Sequence, residues 1–200
     1  MDEERRRTGR LTRSDLCMFI ATGCLLLAAA AGWSSALFVV LGRVVPGWAV
    51  GAVLLLVSSV VMRTAAVPAR PETEGAAPRR AAPPRFVRGL LAVVAGLGCA
   101  VGVLGDLGSE YHILRPTGPH GCTAVVRETS FLFAGSGDVY AVGPSGVAWR
   151  PSGSWQADDG YRPIAEGTYE LHWGRDDGAL SVRGTEVDPV MDGLHGLDCD

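Results

Sequence analysis

Three long apolar stretches, Leu16–Leu41, Val44–Met62 and Gly89–Leu107, fill most of the first half of this 200-residue chain. An apolar stretch of this length is hard to hide in a small soluble domain. In lipid its backbone must satisfy its own hydrogen bonds, which makes each stretch a helix. Leu16–Leu41 has 26 residues and no charge. As a helix it extends ~39 Å against a hydrocarbon core of ~30 Å, so it is expected to tilt. Val44–Met62 is a second uncharged span, and Gly89–Leu107 a third, diluted by Asp106 and several glycines.

Charge divides the chain in two. Residues 1–107 carry 12 Arg and 7 acidic groups, a net of +5; residues 108–200 carry 6 Arg and 14 acidic groups, a net of −8, which together give −3. The Arg residues of the first part flank the apolar stretches, as in membrane anchoring, so nucleic acid is not the expected partner. Arg5, Arg6, Arg7, Arg10 and Arg13 precede the first span. Arg63, Arg70, Arg79, Arg80, Arg85 and Arg88 lie between the second and third, and only Arg43 lies between the first two. Positive-inside orientation then places residues 1–15 and the 63–88 linker in the cytoplasm, and residues 108–200 outside the cell membrane. All 18 basic residues are Arg, and Ala, Gly and Pro abound, a composition expected of a GC-rich, actinobacterial genome.

The first stretch is too long for the h-region of a cleaved signal peptide. Ala21-Thr22-Gly23-Cys24 resembles a lipobox, but the chain stays apolar after Cys24 instead of turning polar. No charged residue sits in the middle of a span, which argues against a stand-alone transporter or channel. Ala28/Gly32/Ala36, Gly47/Gly51 and Gly98/Gly102 repeat small residues at four-residue spacing. Such spacing allows close helix approach, first among the three spans and second between copies in a homo-oligomer. Cys17, Cys24 and Cys99 read as small apolar residues within spans. The linker holds five Pro and no aromatic between residues 64 and 85, the composition of an orientation-setting tether.

From Gly121 onward short apolar runs alternate with turn residues. Thr123–Glu128, Phe131–Phe133, Val139–Val142, Val147–Trp149, Tyr169–Trp173 and Leu180–Arg183 are expected strands of a small antiparallel β domain. Ala134–Asp138 and Arg175–Gly178 are expected hairpin turns. Cys122 opens this region and Cys199 nearly closes it, and on an oxidising side they are expected to pair. Closing a loop of roughly 78 residues in this way stabilises a domain by ~4–5 kcal/mol at the upper end.

The catalytic signals are weak. Asp158-Asp159-Gly160 and Asp176-Asp177-Gly178 are better turn formers than calcium ligands, and His120, His172 and His195 lack zinc-type spacing. Ser136, Ser145 and Ser152 sit beside glycines without forming a nucleophile elbow. No catalytic, cofactor or metal residue is therefore assigned. Trp155 and Tyr161 are the aromatics expected to face a partner. The expected function is non-enzymatic: a multi-pass protein that displays an acidic, disulfide-stapled β domain for binding, sensing or assembly with an envelope or membrane protein. The alternatives are an envelope hydrolase and a small subunit of a larger membrane complex.

Overall fold

The computed structural model describes residues 13–65 and 85–199. The basic tail before Arg13 and residues 66–84 of the linker lie outside the described residues. Three apolar helices, α1 (Arg13–Trp33), α2 (Gly47–Ala65) and α3 (Arg85–Gly105), are each long and apolar enough to cross a membrane. The chain divides into two compact units. One holds the helices up to Trp33 and from Trp48 to Ala100; the other joins Ser34–Gly47 to the chain from Val101 onward.

In the helical unit the small residues serve contacts within the chain. A Cβ on Gly32 would lie 3.1 Å from the Cys99 nitrogen, and one on Gly51 would lie 3.0 Å from the Ala28 carbonyl oxygen. The backbones meet closely there, as small-residue spacing permits. Ser58, fully buried, donates from Oγ to the Ala21 carbonyl at 2.9 Å, and the Trp33 indole N–H donates to the Val94 carbonyl at 3.0 Å.

The first expected span is too long. Helix α1 stops at Trp33, and residues 34–41 are not helical. After Ser34 and Ser35 the chain runs as strand β1 (Leu37–Val40), turns at Leu41-Gly42 and returns as β2 (Arg43–Pro46). The physical reason lies elsewhere in the chain. β1 pairs with β6 (Val147–Ala148), Leu37 opposite Ala148 and Phe38 opposite Val147. Hydropathy alone does not separate such a strand from a continued helix, because both are apolar. The second span begins at Gly47 rather than Val44 for the same reason, and α3 begins before Gly89, at Arg85.

The second unit is built on a five-stranded antiparallel sheet in the order β10-β7-β5-β4-β3. Its strands are β3 (Ser109–Ile113), β4 (Thr123–Phe131), β5 (Ala134–Val142), β7 (Gly153–Asp158) and β10 (Val190–Met191). Alternation along the strands gives it two faces. On one, Val125 and Tyr140 sit opposite each other and pack with Val142, Ala148 and Leu37 of the β1–β2 hairpin. On the other, Val126, Val139 and Trp155 pack with Leu180, Val182 and Leu197 of a three-stranded sheet, β11-β9-β8. That sheet is formed by β8 (Tyr169–Trp173), β9 (Gly178–Val182) and β11 (Leu194–Leu197). The central sheet therefore has a covering sheet on each face, and one cover comes from the segment between two apolar helices.

The expected turn at Ala134–Asp138 is strand. β4 continues to Phe131, the turn is Leu132-Phe133, and β5 starts at Ala134. Gly135 and Gly137 look like turn residues but serve close approach instead. A Cβ on Gly137 would come within 2.1 Å of the Trp155 ring, and one on Gly135 within 2.5 Å of the Tyr161 carbonyl oxygen. The ring and the loop after β7 lie flat on the strand where glycine leaves space.

Candidate functional site

Two polar clusters sit on opposite faces of the β3–β4 pair. Tyr111 and Arg127 are register partners on one face; Glu110 and Glu128 are partners on the other. On the first face the Tyr111 hydroxyl donates to Asp106 Oδ1 at 2.7 Å. Arg127 lies 3.9 Å from Asp106 and 3.7 Å from Asp138, and donates to the Gly105 carbonyl at 3.5 Å. Burial, and then the bond to Asp106, pushes the Tyr111 phenol well above its usual range. Burial also raises the Asp138 carboxyl, against the pull of Arg127. This cluster fastens the end of α3 to the sheet.

On the second face Glu128 is 1% exposed, yet its carboxylate is well satisfied. It accepts the Ile164 N–H at 2.7 Å and the Ala165 N–H at 3.0 Å, and His112 Nε2 lies 3.4 Å away. Burial raises its pKa, while the two backbone donors and the charges of His112 and Arg162 oppose the rise. Beside it Arg162 pairs with Glu110 and donates to the Gly108 carbonyl at 2.8 Å. The arrangement suits a latch that holds the loop after β7 against the sheet.

An open groove of about 700 Å³ lies where the β5–β6 loop and the segment after β6 meet the C-terminal residues. Ser145, Trp149, Arg150, Ser152 and Asp198 line it, beside Cys199. Cys122 and Cys199 form a disulfide with their Cα atoms 5.9 Å apart, which sets the C-terminal residues against the start of β4. The Trp149 ring is 74% exposed at the groove. Hydroxyls, a guanidinium, a carboxylate and an aromatic ring together suit recognition of a polar chain that also presents an apolar face.

Trp155, expected to face a partner, is 2% exposed and belongs to the core. Its ring packs against His195, centroids 5.6 Å apart, and burial lowers the His195 pKa. The alternation Ser154, Trp155, Gln156, Ala157 carries the inward signal, but Gly153, Ser154 and Asp158 are poor strand formers and mask it. Tyr161 is half-buried and hydrogen-bonds through its hydroxyl to the Thr168 hydroxyl at 2.8 Å. Among the described residues of the β unit the exposed aromatics are instead Trp149, Phe131 and Phe133. The two Asp pairs occupy different turns. Asp158 ends β7 and Asp159 follows it, while Asp176 and Asp177 join β8 to β9, with Asp176 3.9 Å from exposed His120. Among the described residues no group of three or more His, Cys, Asp or Glu is arranged to hold a metal ion. No known protein family matches the chain, and neither a characterised protein nor a solved structure is significantly similar to it.

Proposed function

We propose that the protein is a three-span membrane protein that displays its disulfide-clasped β unit outside the cell as a binding module. Its work is sensing or assembly with a protein or polymer of the cell envelope. The observation that carries this reading is the groove beside the disulfide, with exposed Trp149 set among Arg150, Ser145, Ser152 and Asp198. Orientation rests on the Arg distribution. The span path is supported by the β1–β2 hairpin, because the α1–α2 connection and the chain after α3 build one β unit and so belong on one side. That condition requires α2 and α3 to cross together or not at all, which a three-span path satisfies. The disulfide fits the oxidising side.

The test is photo-crosslinking in living cells of the host, with a crosslinking side chain in place of Ser145. Capture of a discrete envelope component, lost with Trp149→Ala or Arg150→Ala while the disulfide still forms, is the expected result. Capture that neither substitution alters would refute the groove as the binding surface.

A further inference from the structure

The β4–β5 turn carries an unusual tip. Phe131, Leu132 and Phe133 are 68%, 76% and 80% exposed, three large apolar side chains in a row. Leu132 adopts a left-handed backbone, φ 56°, at the first position of a two-residue turn. Asn, Asp or Gly adopts that conformation at lower cost, and any of them would suit an aqueous hairpin better. Folding alone does not account for a leucine there, flanked by two phenylalanines. From Thr129 to Gly137 there is no charged residue, within a segment whose net charge is −8.

The register places this tip. Ser109 pairs with Thr129, and the Ser130 N–H donates to the Gly108 carbonyl at 3.4 Å. Phe131 is one residue beyond that bond and Leu132 one residue further, while Gly108 follows the end of α3 by three residues. At a strand rise of ~3.3 Å the tip extends ~3–7 Å past Gly108, comparable with the thickness of one interfacial layer of a bilayer. Leu104 and Leu107, on the last turn of α3 and just after it, are 67% and 59% exposed. Arg127 and Arg162 hold their guanidinium groups at the Gly105 and Gly108 carbonyls, a depth suited to lipid headgroups.

We propose that the Phe131-Leu132-Phe133 tip inserts into the interfacial layer of the same membrane that α3 crosses, as a second foothold for the β unit. The occupant is lipid rather than protein, because the uncharged apolar tip is tied by the Ser130–Gly108 bond to the chain three residues after the end of α3. This inference rests on the membrane-spanning reading above.

The test uses the full chain with Cys17, Cys24 and Cys99 replaced by Ala and the disulfide retained, in lipid nanodiscs. An environment-sensitive fluorophore is placed on Leu132→Cys, on Leu56→Cys in α2, or on Arg175→Cys. Arg175 lies in the β8–β9 turn; neighbouring Trp173 donates to the Pro116 carbonyl, beyond the far end of β3 from Gly108. Doxyl lipids are expected to quench the label at 132 from a shallow depth and at 56 from a greater depth, while aqueous iodide quenches only 175. Emission at 132 is expected to be blue-shifted from that at 175. A label at 132 open to iodide, with 56 still lipid-quenched, overturns the foothold and leaves the spans standing. Protection at 132 from both quenchers assigns the tip to a protein contact and also overturns it. Loss of lipid quenching at 56 overturns the membrane-spanning reading itself. Phe131→Cys provides a second probe should Leu132→Cys fail to form the disulfide.

Discussion

Glu128 and His195 are two buried ionisable residues of the β unit that respond to pH in opposite directions. The folded pKa of Glu128 is raised, chiefly by burial. Its contribution to stability is therefore greatest at acid pH and fades as pH rises through the folded value. The folded pKa of His195 is lowered by burial, so its contribution is present above the unfolded value of ~6.5 and is lost as pH falls through the folded value. His195→Leu is expected to flatten the acid side of the thermal midpoint against pH between about 7.5 and 5, measured by Trp fluorescence on the full chain in detergent. An unchanged acid slope assigns that slope to other groups. Glu128→Ala removes the acceptor for one buried and one partly buried backbone N–H, and at ~1.5 kcal/mol or more for each charge-assisted bond the expected loss is about 3 kcal/mol. Protease cleavage in the loop between Asp159 and Thr168 should rise with it. Stability within a few tenths of wild type would show that the latch contributes little.

At the scale of elements, the β1–β2 hairpin is the departure from a plain reading of the chain. Its sequence is as apolar as the helix before it, and only the pairing with β6 and the packing of Leu37 on Val125, Tyr140 and Val142 make it a strand. Leu37→Ala is expected to destabilise the β unit by about 3 kcal/mol, the usual cost of an unfilled core leucine. The thermal midpoint reports the loss, and hydrogen exchange should rise first at Val39, whose N–H donates to the Gly146 carbonyl. No change at Val39 would mean that the hairpin holds without that packing. The strands with alternating bulky residues, β4 and β8, were legible in the sequence because their period is plain. β5 and β7 were not. Their Gly, Ser and Asp residues imitate turns, while the Trp155 ring needs the space above Gly137.

At the scale of the whole molecule, three chain segments converge on the β unit: the α1–α2 connection, the exit from α3, and the C-terminal residues returned by the disulfide. Replacing Cys122 and Cys199 together with Ser is expected to remove ~4–5 kcal/mol, an upper figure from loop entropy alone. The expected signs are a lowered thermal midpoint and loss of groove-dependent crosslinking at position 145. A midpoint within a degree or two of wild type would show that the three sheets hold the unit without the clasp. Reporter fusions after Leu41 and Gly121 should be active outside, and one after Arg70 inside. Activity of the Leu41 and Gly121 fusions on opposite sides is incompatible with one β unit built from both segments.

The sequence by itself determined the three apolar helices, the change of charge after the third, the β character of the C-terminal half and the pairing of Cys122 with Cys199. These depend on local periodicity, composition and count, which are properties of the chain read in order. Only the tertiary structure decided where α1 ends, which glycines lie in strands, and that Trp155 turns inward while Trp149 and the Phe131–Phe133 tip remain exposed. Each of those outcomes depends on a partner distant in sequence: β6 for Leu37, Trp155 for Gly137 and Gly108 for Ser130. No local pattern records such a partner.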